Sequence, residues 1–274
     1  MKFRRMHPFI LVLLLTVAWM SHAYAGFSMD MLDVGAGDCL LVRSGQSVML
    51  IDTGPARAWQ HIDSFLQEQD IPKIDLLLLT HSHPDHCGNT TRILANIPVG
   101  EILMSSADTD YHDDIFLQAA GLGIPIRTLT RGDRLSLDGV TFDVLWPGTE
   151  PCALVNDRCV VLRAEANGFS MLLMADAESE TERYLLHTAD PSLLHADLIK
   201  LGHHGMITSS TYPLIRAVQP TYALVSCADS THNATLSPIV RDTLDECDVP
   251  WILTTSEIGD IHLEISDSGI LIIR

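Results

Sequence analysis

The order of apolar and polar positions along the chain predicts strands that alternate with helices from residue 27 to the end. Trp59, Ile62 and Leu66 fall on one face at helical spacing. Residues 74–79 are almost wholly apolar, which is typical of a short strand buried on both faces. The predicted strands are 27–33, 39–43, 47–51, 74–79, 101–104, one around 126, 134–137, 140–145, 160–165, 169–174, 197–201, 222–226, 251–254, 260–265 and 270–273. The predicted helices are 58–69, one after 89, 113–120, 178–187, one between 201 and 222, and 239–247.

The pattern divides the chain into two similar halves, about residues 26–150 and 151–274. Each half contains strands for one sheet and helices to flank it, and no linker rich in proline, glycine or serine separates them. Two such halves packed sheet against sheet, with the helices outside, predict an α/β fold with the layers of a four-layer αββα sandwich. We therefore expect residues 26–274 to form a single domain.

The first 25 residues have the pattern of a secretory signal peptide. Three basic residues precede an apolar run over residues 9–20, and small residues stand at Ala23 and Ala25. A run of 12 residues is short of the roughly 20 that cross a bilayer as a helix. We expect cleavage before Gly26, export to the periplasm or the extracellular space, and no stable membrane span in the mature protein.

Composition and charge exclude several classes of protein. Apolar residues make up 47% of the chain, which is too many for a disordered protein. The formal charge is −18, and it becomes −21 once the three basic residues of the signal are removed. Such an acidic chain is not expected to have an extended basic surface for nucleic acids. The oligomeric state is left open by the sequence.

Six cysteines lie in the mature part, and an oxidising compartment would permit disulfides between them. Cys152 and Cys159 flank a short loop-like segment that suits a local bridge. Cys227 ends a predicted strand and Cys247 ends a predicted helix, so these two are a second candidate pair. The remaining cysteines are predicted as either bridged or small buried thiols.

The strongest chemical signal is a cluster of imidazoles and a carboxylate directly after the predicted strand 74–79. His81 and His83 alternate along an extended backbone, so both side chains point the same way. Asp85 and His86 follow and turn into the next helix, where they are able to face a second ion. Imidazole and carboxylate ligands suit zinc, and also manganese or iron.

Several motifs, in order, resemble one known family. The histidine cluster has the His-x-His-x-Asp-His form of the metallo-β-lactamase fold. The segments 31–38, 50–54, 173–178 and 198–205 resemble motifs in the hydrolase domain of ComEC-type DNA-uptake proteins and their free-standing relatives. Ala36 and Ala175 stand where that branch usually has Gln and Gly. The resemblance extends over essentially all of residues 26–274.

The resemblance implies roles for individual residues and two bound ions, zinc or manganese. His81 and His83 would bind one ion, Asp85 and His86 the other, and Asp176 would bridge both. One of the two adjacent histidines, His203 and His204, would complete the second site. We favour His204 as the ligand, with His203 contacting the substrate. Asp176 is also suitably placed to begin a helix, which is the structural alternative for this residue.

Two departures from the family pattern concern the first ion and the substrate. Many members of the fold add a histidine ligand between the cluster and the bridging aspartate, where this chain has only His112, in an acidic stretch. Asn156 aligns with an Asn-containing segment of the ComEC branch, and Cys159 is an alternative thiolate ligand. A late Gly-His-Pro loop is replaced by residues around His232, which is either a substrate contact or an exposed loop residue.

The expected reaction class is metal-assisted hydrolysis, with Asp85 orienting the attacking water and His203 contacting the substrate. The resemblance favours a phosphodiester, either a small molecule or the end of a nucleic-acid strand. The alternatives are hydrolysis of a lactam or lactone, and a non-catalytic metal-binding module of the same fold. Asp33 and Asp38 are expected either to support ligands from a neighbouring loop or to form an ordinary turn.

Overall fold

Two sheets and nine α-helices form the part of the chain that a computed structural model describes, residues 26–228, 235–266, 269 and 271–274. The strands are β1 (Phe27–Met31), β2 (Leu40–Ser44), β3 (Ser47–Ile51), β4 (Ile74–Leu79), β5 (Val99–Ser105), β6 (Ile126–Leu129), β7 (Arg134–Leu137), β8 (Val140–Trp146), β9 (Val161–Ala166), β10 (Phe169–Leu173), β11 (Leu198–Lys200), β12 (Tyr222–Val225), β13 (Trp251–Thr254), β14 (Ile261–Ile265) and β15 (Leu271–Ile273). The helices are α1 (Trp59–Glu68), α2 (Pro84–Cys87), α3 (Thr90–Asn96), α4 (Asp113–Leu122), α5 (Ser179–Thr188), α6 (Pro191–Leu194), α7 (Tyr212–Val218), α8 (Pro238–Glu246) and α9 (Thr255–Ile258).

The predicted α/β layers are confirmed. One sheet has the order β15-β14-β1-β2-β3-β4-β5-β6, and the other has the order β13-β12-β11-β10-β9-β8-β7. A buried apolar cluster draws residues from both sheets, so it lies between them. A second cluster joins one sheet to α5–α8, and a third joins the other sheet to α1, α3 and α4. These three apolar interfaces separate four layers.

Side chains on both faces of the strands are apolar, because successive side chains of a strand point into two different apolar clusters. In β2, Leu40 and Val42 belong to the cluster between the sheets, while Leu41 belongs to the cluster beneath the helices. Successive side chains of a strand point to opposite faces, so a strand in a middle layer needs apolar residues at nearly every position.

The division of the chain near residue 150 does not match the division into sheets. Strands β7 and β8 come before that point, yet they pair with β9 in the second sheet. The last two strands return to the first sheet, where β14 pairs antiparallel with β1 and Met29 lies opposite Leu263. Strand β1 pairs with β2 along one edge, and β14 supplies the hydrogen-bonding partner along its other edge. The last strands therefore return to the first sheet.

All six cysteines are free thiols, so the expected bridges are absent. The Cys152 thiol contacts the carbonyl oxygen of Glu150, and the Cys159 thiol contacts the carbonyl oxygen of Met174. The Cys152 and Cys159 thiols therefore each have a backbone acceptor. The expected signal peptide, residues 1–25, lies outside the described residues. Within the described ranges, no helix combines the length and apolar character that a bilayer crossing requires.

Candidate metal centre

The candidate ligands lie where strands of both sheets end. Neighbouring strands β3 and β4 are parallel, and β10, β11 and β12 are parallel in the other sheet. Asp52 directly follows β3, the cluster containing His81 follows β4, Asp176 follows β10, His204 follows β11 and Ser226 directly follows β12. Carboxyl ends of parallel strands meet at one edge of a sheet, which is where ligands bind in open α/β sheets.

The turns that carry these residues have unusual backbone conformations. Asp52, Ala175, His203 and His204 have φ values of 60°, 47°, 44° and 54°, in the left-handed region that residues other than glycine rarely adopt. Close packing fixes the turns, because a Cβ at Gly202 would lie only 2.4 Å from the carbonyl oxygen of Ala177. Such strained turns cluster at functional sites, and these aim side chains into the space between the strand ends.

Asp176 is the common neighbour of the candidate ligands. Its Oδ1 lies 3.2 Å from His86 Nε2 and 3.5 Å from His204 Nε2, while its Oδ2 lies 3.8 Å from His81 Nε2. Asp85 Oδ2 lies 3.5 Å from the same nitrogen of His204. Asp176 is therefore placed to bridge the two groups of ligands that the sequence predicts.

His83 stands at the outer side of this cluster. Its Nδ1 lies 3.2 Å from His81 Nε2, and the two rings meet edge to face. Both His83 and Asp85 are partly exposed, whereas His81, His86 and Asp176 are buried. The inner side of the cluster is therefore buried, and the side formed by His83 and Asp85 is open to solvent.

Hydrogen bonds at Nδ1 orient three imidazoles so that their Nε2 atoms face Asp176. The Thr80 hydroxyl donates to Asp52 and so accepts from Nδ1–H of His81, 3.1 Å away. His86 Nδ1–H donates to Asp52 Oδ2 over 2.7 Å. Nδ1–H of His204 donates to the Ser226 hydroxyl over 3.1 Å. Partners of this kind fix the tautomer of metal-binding histidines.

Orphaned polar atoms show that the residues fit a cation. His86 Nε2, Asp176 Oδ1 and His204 Nε2 are buried, and no described residue forms a hydrogen bond with any of them. Leaving a buried polar atom without a partner costs about 1–3 kcal/mol. Three such atoms facing one another, two of them imidazole nitrogens and one a carboxylate oxygen, are the donor set of a zinc-type site.

Asp38 forms a second support beneath the ligands. It accepts hydrogen bonds from the Ser226 hydroxyl and from the ammonium group of Lys200. Lys200 is 1% exposed and Asp38 is 2% exposed. Asp38 Oδ1 also lies 3.7 Å from His204 Nδ1. The loop that carries Asp38 approaches the ligands closely, since a Cβ at Gly37 would lie 2.6 Å from the carbonyl oxygen of Asp85.

The buried carboxylates of the cluster favour a positive charge beside them. Burial opposes ionisation of Asp176, yet the surrounding imidazoles of His204 and His86 hold its pKa well below the ordinary value. Burial would lower the pKa of His86, but the carboxylates of Asp176 and Asp52 raise it well above the usual range. Burial lowers the pKa of His81. In the absence of metal a proton on His86 supplies the missing charge, and a bound cation would replace it.

Asp85 gives a testable dependence of stability on pH. Burial raises its pKa, but the nearby imidazoles of His204, 3.5 Å away, and of His86 outweigh that and lower the pKa to about 2. The ordinary value is about 3.9. Ionised Asp85 therefore stabilises the metal-free fold above about pH 4, and the contribution is lost as the pH falls through about 2. In chelator, Asp85→Asn should lower the free energy of unfolding in urea near neutral pH, and this difference should shrink as the pH approaches 2.

The matched control for this experiment is Asp245→Asn, at an exposed position of α8. This control should show no comparable change in the difference with pH. A difference between wild type and Asp85→Asn that is constant from pH 6 to pH 2 would contradict the argument.

The remaining expected residues lie apart from this centre or outside the described residues. His203 is not among the grouped ligands and contacts Asn156 and Glu178 at the edge of the cluster. His112 caps α4, and its side chain is 76% exposed, so it is not among the grouped ligands. Cys159 is buried, and its thiol faces a backbone carbonyl. His232 lies outside the described residues.

The motif pattern predicted the same role for Asp33 and Asp38 and assigned none to Asp52. The structure separates the first two, because Asp33 is exposed and contacts Asp260 through its backbone. Asp52 was identifiable in principle, since it directly follows β3, the parallel neighbour of the strand that leads into His81. Lys200 gave no such signal, because a lysine in an apolar strand does not reveal its partner.

Comparison with known proteins decides the family. Residues 32–228 match the family described as Metallo-beta-lactamase superfamily. The chain belongs to the metallo-beta-lactamase superfamily. This match includes the histidine cluster, Asp176 and both adjacent histidines.

Two curated relatives extend the likeness. The chain is 33% identical to ComE operon protein 3 of Bacillus subtilis (strain 168), over 72% of this chain and 28% of that protein. It is 30% identical to competence protein ComA of Neisseria gonorrhoeae, over 71% of this chain and 26% of that protein. The chain therefore matches about a quarter of the length of these relatives.

A solved structure supports the fold. The metallo-beta-lactamase fold protein YhfI from Bacillus subtilis superposes with a TM-score of 0.54 over 90% of this chain and 100% of that chain. Sequence identity between the two is 14%. At this distance the likeness concerns the fold alone.

Proposed function

We propose that this protein is an exported metal-dependent hydrolase that cleaves a phosphodiester, either a small molecule or the end of a nucleic-acid strand. The observation that carries the proposal is the convergence of Asp176 Oδ1 with the unpartnered Nε2 atoms of His86 and His204 in a buried cluster. His81, His83, His86, Asp85, Asp176 and His204 would hold two zinc or manganese ions. When bound, such ions lower the pKa of an attacking water and supply positive charge beside the phosphoryl oxygens.

The protein's own residues bind and orient the reactants. Asp85 is the partly exposed carboxylate of the cluster, so it is placed to accept a hydrogen bond from the attacking water. Its Oδ2 lies 3.5 Å from His204 Nε2, so the carboxylate faces the cluster. His203 is one-fifth exposed at the cluster's edge, where it would contact the substrate. Support for a phosphodiester comes from the relatives named for competence and from the motifs of ComEC-type DNA-uptake proteins.

Net charge favours a small substrate over a long polyanion. Without residues 1–25 the formal charge is −21, which repels an extended nucleic acid at long range. The paired ions would focus positive potential only at the opening. The expected export rests on residues 1–25, whose pattern is that of a cleaved signal.

Metal analysis followed by a hydrolysis panel tests this function. The purified exported protein should hold two equivalents of metal and hydrolyse bis-p-nitrophenyl phosphate with zinc or manganese. Turnover of nitrocefin or a lactone in its place would favour the lactam or lactone alternative. One equivalent or none, with no turnover, would favour the non-catalytic module.

Two substitutions separate binding from water orientation. His83→Ala should lower the metal content, because it removes a ligand of one ion. Asp85→Ala should lower kcat for bis-p-nitrophenyl phosphate by about 10²–10⁴-fold, the usual effect of losing a group that positions or accepts a proton. Asp114→Ala, at an exposed position of α4, is the matched control and should leave both readouts unchanged. Full activity in either site variant would contradict the assigned roles.

A further inference from the structure

Beside the candidate metal centre lies a hydrogen-bonded cluster made by Asn156, Glu178 and His203. Asn156 Nδ2 lies 2.8 Å from Glu178 Oε1 and 3.3 Å from His203 Nε2. Glu178 Oε1 also lies 3.1 Å from Nδ1 of His203. The rings of His203 and His204 are 6.1 Å apart, centre to centre, so this cluster adjoins the ligands without belonging to them.

Glu178 determines which way the Asn156 carboxamide points. An ionised carboxylate only accepts hydrogen bonds, so the atom 2.8 Å from it must be the amide nitrogen. The same nitrogen then donates to Nε2 of His203, which requires the proton of that neutral ring to be on Nδ1. Nδ1–H donates to the Thr208 hydroxyl over 2.8 Å, and Glu178 Oε1 lies 3.1 Å from the same nitrogen.

This orientation leaves Asn156 Oδ1 free. The residue is 8% exposed, and no described residue forms a hydrogen bond with that oxygen. The turn that carries it is fixed, because Asp157 Oδ1 accepts from the backbone N–H of Glu178 and from the Thr181 hydroxyl. A rigid, buried acceptor without a partner is unfavourable unless a ligand supplies a donor.

The side chain of Glu178 has no structural task that would explain the arrangement. Glu178 directly precedes α5, but its side chain makes no capping hydrogen bond to that helix. Its described contacts are Asn156 and His203, through one oxygen.

We propose that Asn156 Oδ1 is a substrate subsite that accepts a hydrogen bond from a hydroxyl or N–H group, and that Glu178 is the residue that positions it. Glu178 holds the carboxamide with its oxygen free, while Nδ1–H of His203 donates to the Thr208 hydroxyl. The proposal deepens the proposed function and rests on it for the substrate class: a phosphodiester that carries donor groups, such as a nucleotide, is preferred over one without them.

The positioning role is tested in solution without turnover. In wild type and in Glu178→Gln, nuclear Overhauser contacts should join the Asn156 amide protons to ring protons of His203, since glutamine keeps an accepting oxygen. In Glu178→Ala the carboxamide is free to rotate, and these contacts should be lost while the rest of the spectrum is retained. Glu180→Ala, at an exposed position of α5, is the matched control. Contacts that persist in Glu178→Ala would overturn the positioning role.

The subsite is tested by comparing kcat/KM for two esters, because a general loss of activity lowers both values and leaves their ratio unchanged. The p-nitrophenyl ester of thymidine 5′-monophosphate carries hydrogen-bond donors, and bis-p-nitrophenyl phosphate carries none. The ratio of their kcat/KM values should fall about tenfold in Asn156→Leu, the effect of losing one hydrogen bond to a buried acceptor. An unchanged ratio would overturn the subsite.

A binding measurement separates failure of the subsite from failure of the proposed function. If wild type hydrolyses neither ester, the phosphodiesterase proposal fails, and calorimetry of the zinc-loaded protein then decides the subsite. Thymidine 5′-monophosphate should bind more tightly than inorganic phosphate to wild type, and the preference should be lost in Asn156→Leu. Equal affinity of wild type for the two ligands, or no binding of either, would overturn the subsite.

Discussion

Asp176→Ala should abolish metal binding and hydrolysis together. Asp176 presents one oxygen to His86 and His204 and the other to His81, so its loss removes a ligand from both groups at once. Positive charge at the reacting group contributes several kcal/mol, so activity should fall about a thousandfold or more. Metal content by mass spectrometry and kcat/KM for bis-p-nitrophenyl phosphate check the two effects.

The Asp176→Ala protein should be folded but free of metal, and circular dichroism checks that it is folded. Asp176→Asn, which keeps the side-chain shape, should show the same loss of metal if the carboxylate charge is what matters. The matched control is Asp242→Asn, at an exposed position of α8, which should retain two equivalents of metal. Retention of both ions by Asp176→Ala would remove the bridging role from this residue.

Lys200→Met should be the most destabilising single change near the site. Lys200 forms a buried ion pair with Asp38 between the two sheets, with each side chain at most 2% exposed. Methionine fits the apolar strand but leaves the Asp38 carboxylate without its partner. Breaking one side of a buried pair costs about 3–5 kcal/mol. The free energy of unfolding in urea, measured with chelator present, gives this quantity.

A double substitution distinguishes the lost charge from the changed shape. In Lys200→Met combined with Asp38→Asn the uncompensated carboxylate is gone, so the double variant should be more stable than Lys200→Met alone. Lys73→Met is the control, because Lys73 is paired with Asp75 at the surface with 57% of its side chain exposed. It should change stability by at most about 1 kcal/mol. Equal losses for Lys73 and Lys200 would exclude a buried pair of this strength.

Much of the architecture was predictable because the apolar pattern marks buried strands directly. The predicted strands Ser47–Ile51, Ile74–Leu79 and Trp251–Thr254 have the bounds that the structure shows. Most other elements differ by one or two residues at their ends, where hydrogen bonding and not hydrophobicity sets the limit. The division into sheets was not predictable from the same pattern, since pairing of β1 with β14 depends on contacts more than 200 residues apart.

The candidate site was predictable in the residues that carry a local signal. Their spacing alone indicates a metal site for His81, His83, Asp85 and His86. The family resemblance adds residues from the second half of the chain. The orientation of the two adjacent histidines depends on left-handed backbone angles at both positions, which spacing does not reveal. Buried partners such as Asp52 and Lys200 are recognised only once the strand ends are brought together.

The pairing of the first strand with the penultimate one has a consequence for the order of folding during synthesis. Strand β1 emerges from the ribosome early, but β14, which covers its free edge, is made more than 200 residues later. Until then the nascent chain carries an open sheet edge, a template for pairing with another chain. Closing so long a loop is a slow step. The first sheet is therefore completed only after almost the whole chain has been made.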